Sequence, residues 1–289
     1  MSATNGGRLR LALPSKGRLA EPAGSLLRDA GVDVELSERR LSAVARNVDL
    51  ELLFVRTEDI TEYVRDGLVD LGITGQDLVA ERGDGTSPLL ELGFGVCSLV
   101  VAAPARGSIA SVDDLAGCRI ATTFPRLTRE FLTDRGIEAQ IVEVTGAVEV
   151  TPQLGVADAV VDLVASGGTL RVNGLRPLAT LLESQAVLVA GGSGMAEDPR
   201  VVALSSMLRS VVEARGREYM MMNAPASSID EIRRIIPGLS GPTVMPLADP
   251  SMIAVHSVVE RGQLWRIVPA LKDVGARDIL IVPIEKVIR

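Results

Sequence analysis

The stretch "ADAVVDLVASGGTL", Ala157 to Leu170, decides the fold. A mostly apolar run of strand length ends on Asp162, Leu163 and Val164, and Ser166, Gly167, Gly168 and Thr169 follow almost at once. In a parallel α/β sheet the carboxyl ends of the strands open on the crevice where ligands bind, and the turn beyond presents backbone N–H groups at a helix start. Two glycines let the backbone approach an anion closely, and the Ser and Thr hydroxyls can donate to it. Asp162 is ill suited to touch a phosphate and well suited to the vicinal hydroxyls of a ribose. The string therefore reads as a cradle for a ribose 5-phosphate. Its plain alternative is an ordinary strand-to-helix turn, with glycine supplying positive φ and Ser or Thr capping the helix.

Working outward, strands alternate with helices. "LRLALP", "VDLELLFVR" and "VDLGITG" read as strands, with "RLAEPAGSLLRDAG" and "QDLVAERG" as helices. Thr57 is the expected N-cap of a further helix whose apolar face is Ile60, Val64 and Leu68. A second set follows from "LGFGVCSLVVAAP": "SVDDLAG" as a short capped helix, "CRIATT" as a strand, "PRLTREFLTDRG" as a helix and "EAQIVEV" as a strand. "GAVEVTPQLGV" reads as a helix start, and "ATLLESQAVLVA" as a helix returning into a strand. These units predict a parallel α/β sheet in each of two lobes, with a cleft between them. After the loop "AGGSGMAEDP" and the helix "RVVALSSMLRSVVEARG", the last ~70 residues read βαββαβ, a ferredoxin-like unit. Pro269 falls inside its second helix, where it predicts a kink. The expected boundaries are 1–96 with 183–215 for lobe I, 97–182 for lobe II, and 216–289 for the ferredoxin-like domain.

Composition narrows the chemistry. The chain has 289 residues, a formal charge of −7 and a single histidine, His256. That charge argues against a general nucleic-acid binder, so any anionic ligand must be held locally. No apolar run approaches the ~20 residues of a membrane helix, and "MSATNGGRLRLALPSKG" lacks the apolar core of a signal peptide, so a cytoplasmic protein is expected. Cys97 and Cys118 have no metal-site spacing and read as buried thiols. His256, in the strand-like "MIAVHSVVE", is expected to be structural. Lys16, the one lysine in the first 271 residues, sits in a loop after a strand, either as a solvated cation or as a ligand for a phosphate. Glu149 is either an exposed helix carboxylate or a group facing sugar hydroxyls or a hydrated Mg²⁺. "ITGQDL" and "ATTFPRL" are strand ends that could equally be plain loops. Phe124, in the latter, either stacks on a purine or joins the core.

At this point "SKGRL", "DLGITGQDL", "RIATTFP", the block Gly146–Leu175, "YMMMNAP", "PGLSGPTVMPLAD" and "GARDILIVPIEK" occur in an order that resembles the ATP phosphoribosyltransferases of the long, single-polypeptide form. The resemblance runs from Leu9 to Ile288. It implies two periplasmic-binding-protein-like (type II) lobes, a ferredoxin-like regulatory domain, and the first step of L-histidine biosynthesis. In that reaction adenine N1 of ATP is joined to C1 of phosphoribosyl pyrophosphate (PRPP) with loss of pyrophosphate. The PRPP-binding run would be Asp162, Leu163, Val164, Ala165, Ser166, Gly167, Gly168 and Thr169. Lys16, Arg18 and Glu149 would be catalytic, and Arg18, Thr74, Gly75 and Phe124 would meet the nucleotide. Phe124 stands where the family often carries Tyr, so stacking survives and a hydroxyl contact does not. Histidine, the feedback inhibitor, would be met by Asn223, Leu239 and Thr243. Asn223 replaces a residue that is sometimes Asp in the family, at the effector's amino group. Mg²⁺ is expected to arrive with PRPP and to have no dedicated cage. Homo-oligomers, from dimers to hexamers, complete the expectation. Two rivals remain: a purine- or orotate-type phosphoribosyltransferase, against which Val161 stands where a second acid would precede Asp162, and a non-catalytic two-lobe small-molecule sensor.

Overall fold

The computed structural model describes residues 7–35, 41–82, 85–192 and 194–289. The first six residues of the amino-terminal stretch read for an apolar leader, the Gly83 end of one expected helix and Ser193 of the glycine-rich loop lie outside them. The chain forms two compact units, Met1–Ser205 and Ser206–Arg289.

The first unit holds two sheets. One is built from β1 (Leu9–Pro14), β2 (Ser42–Val44), β3 (Leu50–Val55), β4 (Leu71–Gly75), β5 (Thr86–Glu91) and β11 (Ala186–Gly191), in the order β2-β3-β1-β4-β11-β5. The other contains β6 (Cys97–Pro104), β7 (Arg119–Thr122), β8 (Gln140–Glu143), β9 (Ala159–Val164) and β10 (Leu175–Ser184), in the order β10-β6-β9-β7-β8. Helices α1 (Ala20–Asp29), α2 (Ile60–Arg65) and α3 (Gln76–Arg82) follow strands of the first sheet, and α4 (Pro125–Thr133) and α5 (Gly168–Val172) follow strands of the second. These two sheets with their helices are the two lobes. Each has a parallel triplet, β3-β1-β4 and β8-β7-β9, where a crossover segment separates successive strands. The strands β2, β5, β6, β10 and β11 pair antiparallel with their neighbours and make the sheets mixed. The chain passes between sheets twice, through 92–96 and through Gln185. The two passages are tied together by Ala186 N–H to the Phe94 carbonyl at 2.9 Å and Gly93 N–H to Gln185 Oε1 at 3.1 Å.

Burial follows the pattern. Leu99, Val101 and Ala103 of β6 enter one core with Ile120, Phe131 and Val161, and Ala102 enters a second with Val148 and Val160 on the opposite face. A strand buried on both faces has to read as a continuous apolar run, as "LVVAA", Leu99 to Ala103, does. Each large side chain so buried contributes ~1.5–3 kcal/mol.

Several expectations change. "ATLLES" belongs to strand β10, not to a helix. Its ladder with β6 shifts register between Pro177 and Ala179 and again between Thr180 and Leu182. Each shift inserts one residue, so apolar positions fall at 178, 179, 181 and 182 and imitate a helical period. "GAVEVTPQLGV" forms only a 3₁₀ turn at Val148–Val150. Pro152 lacks the N–H that would bond the Val148 carbonyl, and Thr151 takes that carbonyl through both its N–H (3.1 Å) and its hydroxyl (2.7 Å). "SVDDLAG" is likewise a 3₁₀ turn, Asp113–Leu115. Thr57 opens a 3₁₀ turn and supplies no side-chain cap, and Leu68 is exposed while Ile60 and Val64 are buried. Cys97 is buried, but Cys118 is only half-buried. Strands β2 and β5 carried no readable alternation.

The second unit contains β12 (Arg217–Pro225), α7 (Ile229–Ile235), β13 (Thr243–Pro246), β14 (Met252–Glu260), α8 (Leu264–Asp273) and β15 (Arg277–Pro283). The sheet order β13-β14-β12-β15 is antiparallel throughout, as a ferredoxin-like unit requires. Met220, Met222 and Ala224 alternate inward under Ile232, Ile236, Ile267 and Leu271. Helix α8 continues through Pro269. His256 pairs with Tyr219 across the other face, Nδ1 to hydroxyl at 3.2 Å. Helix α6 (Pro199–Ala214) contains the division between the units.

Gly191, the last residue of β11, lies against the end of α2: an added Cβ would sit 2.2 Å from the Val64 carbonyl oxygen. Gly191→Ala should therefore lower stability by about 1–3 kcal/mol, seen as a reduced urea midpoint with an unchanged slope.

Candidate active site

The carboxyl ends of six parallel strands meet at one cavity of about 770 Å³. From the first lobe come Lys16 and Arg18 after β1, Arg56 to Asp59 after β3, and Gly75, Asp77, Leu78 and Arg82 from β4 and α3. From the second come Thr123 and Phe124 after β7, Val144 and Thr145 after β8, and Asp162 and Leu163 on β9. The loop after β1 is pinned by Ser15 N–H to the Val55 carbonyl at 2.7 Å, and Gly17 at φ +86° makes the turn that exposes Lys16 and Arg18 on either side.

The charges are unevenly engaged. Arg82 donates to the Glu58 carbonyl at 3.1 Å and to Glu62 at 3.5 Å. Asp77 is buried, accepting the Ser184 hydroxyl at 2.5 Å while its N–H donates to Ser184 Oγ at 3.0 Å. Gly75 makes room for that carboxylate: an added Cβ would lie 2.2 Å from Asp77 Oδ1. Lys16, Arg18 and Arg56 are exposed and form no ion pair among the described residues. They are the cations left to meet an anion.

Asp162 faces them from the other lobe. Its carboxyl is half-buried and accepts the Leu163 N–H at 2.8 Å. Burial pushes its pKa up to about 6, the hydrogen bond opposes that shift, and the nearby Glu149 carboxylate adds to it. Ala165, Ser166 and Thr169 are exposed, Gly167 takes φ +71°, and Gly168 opens the five-residue α5. Val164 is the last residue of β9, half-buried.

The sequence-derived candidates thus divide. Lys16, Arg18, Gly75, Phe124, Asp162 and Leu163 line the cavity, whereas Ser166 to Thr169, in the turn and helix after the strand that carries Asp162, are not among its lining residues. Glu149 is placed by its field on Asp162. Thr74 is fully buried and spends its hydroxyl on the Thr57 carbonyl at 3.2 Å, which aligns the wall. Phe124 is 4% exposed and packed in the second-lobe core. Arg56, Asp77 and Thr145 escaped the sequence reading; Arg56 follows a parallel strand directly, and that position was the available signal.

In the second unit, Asn223 and Thr243 lie on the helix-free face of the sheet, with Asn223 opposite Ala254 and Thr243 opposite His256. They are two strands and two residues apart, about 12 Å. Asn223 Nδ2 donates to Asp278 Oδ2 at 3.0 Å, and Leu239 is exposed in the α7–β13 connection.

Among the described residues no group of three or more His, Cys, Asp or Glu is gathered as for a metal ion, and no helix is long and apolar enough to cross a membrane.

A family profile described as ATP phosphoribosyltransferase matches residues 56–211, and one described as HisG, C-terminal domain matches residues 214–286. The chain is 44% identical to the ATP phosphoribosyltransferase of Methanocella arvoryzae, over 97% of this chain and 100% of that one. It is 43% identical to that of Gemmatimonas aurantiaca, over 97% and 99%. Among solved structures it is similar to the ATP phosphoribosyl transferase (HisG:HisZ) complex from Thermotoga maritima, with a TM-score of 0.62 at 28% identity, covering 71% of this chain and 98% of that one.

Asp162 gives the site a pH signature. With a native pKa of about 6 against an ordinary 3.8, the folded chain binds more protons than the unfolded one between those values. The stability contributed by this group is therefore present at low pH and is lost as pH rises towards 6. In urea melts, Asp162→Asn should match the parent near pH 4 and become progressively the more stable of the two up to pH ~6.5, with no further divergence above.

Proposed function

The chain belongs to the ATP phosphoribosyltransferase family, pentosyltransferases of histidine biosynthesis, and on that premise we propose that this cleft joins adenine N1 of ATP to C1 of PRPP. The observation that carries the reading is the meeting, across one cavity, of three unpaired cations from the first lobe with the perturbed Asp162 carboxylate of the second.

The N1 lone pair of adenine lies in the ring plane and attacks C1 as the C1–O bond to pyrophosphate breaks, with inversion. No proton has to leave N1 for the bond to form, so the lone histidine, remote in sequence and paired with Tyr219, is not needed. Charge builds on the departing pyrophosphate, where Lys16, Arg18 and Arg56 are aimed. Ionised Asp162 accepts from the ribose hydroxyls and offsets the positive charge developing on the sugar. The N–H groups and hydroxyls of Ser166 to Thr169 seat the 5-phosphate, and the remaining barrier is lowered by holding N1 and C1 in line.

Asp162 and Glu149 are close enough for their charges to conflict, an arrangement that a hydrated divalent cation on one side relieves. These two carboxylates would hold Mg²⁺ that enters with PRPP; when bound, it neutralises pyrophosphate charge. Two acids are too few for a dedicated cage.

For feedback inhibition, the Asn223 amide lies beside Asp278, whose carboxylate supplies the negative charge that Asn223 lacks for a histidine amino group. Thr243 and Leu239 are its further contacts. Lobe I as 1–96 with 183–215, lobe II as 97–182, a regulatory domain at 216–289, a homo-oligomer from dimer to hexamer, and a cytoplasmic site of action belong to the same proposal.

With ATP, PRPP, Mg²⁺ and pyrophosphatase, the protein should give a PRPP-dependent product absorbing to the red of adenine. Product from hypoxanthine or orotate, and none from ATP, would transfer the reaction to a salvage-type enzyme. KM for PRPP should rise at least about tenfold in Asp162→Ala and in Thr169→Ala. In the parent, kcat/KM for PRPP should climb as pH rises through about 6, because the ionised carboxylate is the binding form. Asp278→Asn should weaken inhibition by histidine while leaving KM for PRPP unchanged.

A further inference from the structure

Helix α4 begins without a cap of its own. Its N-cap position is Phe124, which supplies no side-chain bond, so the first-turn N–H groups need acceptors from elsewhere. They come from the other lobe. Glu81, near the end of α3 and 9% exposed, accepts Arg126 N–H on Oε1 at 2.7 Å and Leu127 N–H on Oε2 at 2.9 Å. The arrangement is reciprocal. Arg126 Nε donates at 2.9 Å to the Glu81 main-chain carbonyl, one of the acceptors that the last turn of α3 leaves unused. Arg126 is steadied by an ion pair with Glu130 one turn on. The opposite end of α3 is anchored at the passage between lobes, by Gln76 N–H to the Gln185 carbonyl at 2.8 Å and by the Asp77–Ser184 pair. Leu78, between the two anchors, packs on the second-lobe core.

We infer that Glu81 is a positioning residue that clasps the two lobes and sets the separation of the cleft walls. It does not line the cavity, but the elements it joins do: α3 carries Asp77, Leu78 and Arg82, and α4 starts directly after Thr123 and Phe124. A carboxylate is required because two N–H groups each need an oxygen; an amide offers one and turns its own N–H₂ towards the other donor. Moving the lobes apart exchanges three protein hydrogen bonds at helix ends for contacts with water. The clasp therefore favours one cleft width before any substrate arrives. Its kinetic consequence rests on the proposed reaction, whereas the clasp itself can be read without substrate.

The test compares the parent with Glu81→Gln in full-length protein. Spin labels at Ser87→Cys and Glu138→Cys, exposed positions on opposite lobes, report the interlobe distance in a Cys118→Ser background that keeps the buried Cys97. In ligand-free protein the variant should show a longer and broader distance distribution. Its KM for ATP should rise about tenfold with kcat changed less than about threefold. A variant that only melts earlier, with distances and KM unchanged, overturns the inference. If Glu81→Gln does not fold, Arg126→Ala removes the guanidinium-to-carbonyl bond and leaves the carboxylate; it should give the same changes at smaller size, and unchanged distances and KM there overturn the inference equally. A parent protein that makes no product from ATP would sink the reaction, and the distances would still decide the clasp.

Discussion

Two parallel strand triplets must present their carboxyl ends to the same space, and everything at the site depends on that constraint. It is met because the chain passes between the sheets only through 92–96 and Gln185, and because those passages are bonded to each other and to the start of α3. Short parallel strands put their following turns at the sheet crevice. Placing two such crevices face to face turns scattered turn residues, from Lys16 to Thr145 and Asp162, into the lining of one cavity. Glycine is required where backbone or carboxylate comes close, as at Gly75 against Asp77 and Gly191 against Val64.

The electrostatics of the cleft run against the composition of the chain. A formal charge of −7 would repel a polyphosphate at long range, yet exposed cations of the first lobe stand unpaired at the strand ends. Screening confines the general repulsion to about a Debye length, ~8–10 Å, so local placement decides binding. The opposing wall carries a carboxylate that burial and Glu149 make reluctant to ionise. A group in that condition gains most from a partner that stabilises its charge, such as sugar hydroxyls or a developing cation.

The second unit uses a different economy. Its four-stranded sheet covers one face with α7 and α8 and leaves Tyr219, Met221, Asn223 and His256 on the other. The one histidine is spent on a tyrosine hydroxyl, and the amide of Asn223 is held by Asp278, whose backbone at φ +54° turns the carboxylate to meet it.

The sequence by itself determined the lobes, the ferredoxin-like order and the central turn, because those depend on local periodicity and on glycine, which are written in consecutive residues. "ADAVVDLVASGGTL" contained the strand, the acid and the left-handed Gly167 without reference to any neighbour. Where a local period was disturbed, the sequence misled: two bulges gave β10 a helical spacing, and the hydrogen-bond competition at Thr151 and Pro152 stopped a helix that Glu149 was expected to ride. Only the tertiary structure decided which side chains meet. Arg56 became a cleft cation, Thr74 and Phe124 turned inward, and Glu81 met the start of α4 across 45 positions of chain. Such pairings have no period to read, since burial and the need of each helix end for partners are settled between distant segments after both have folded.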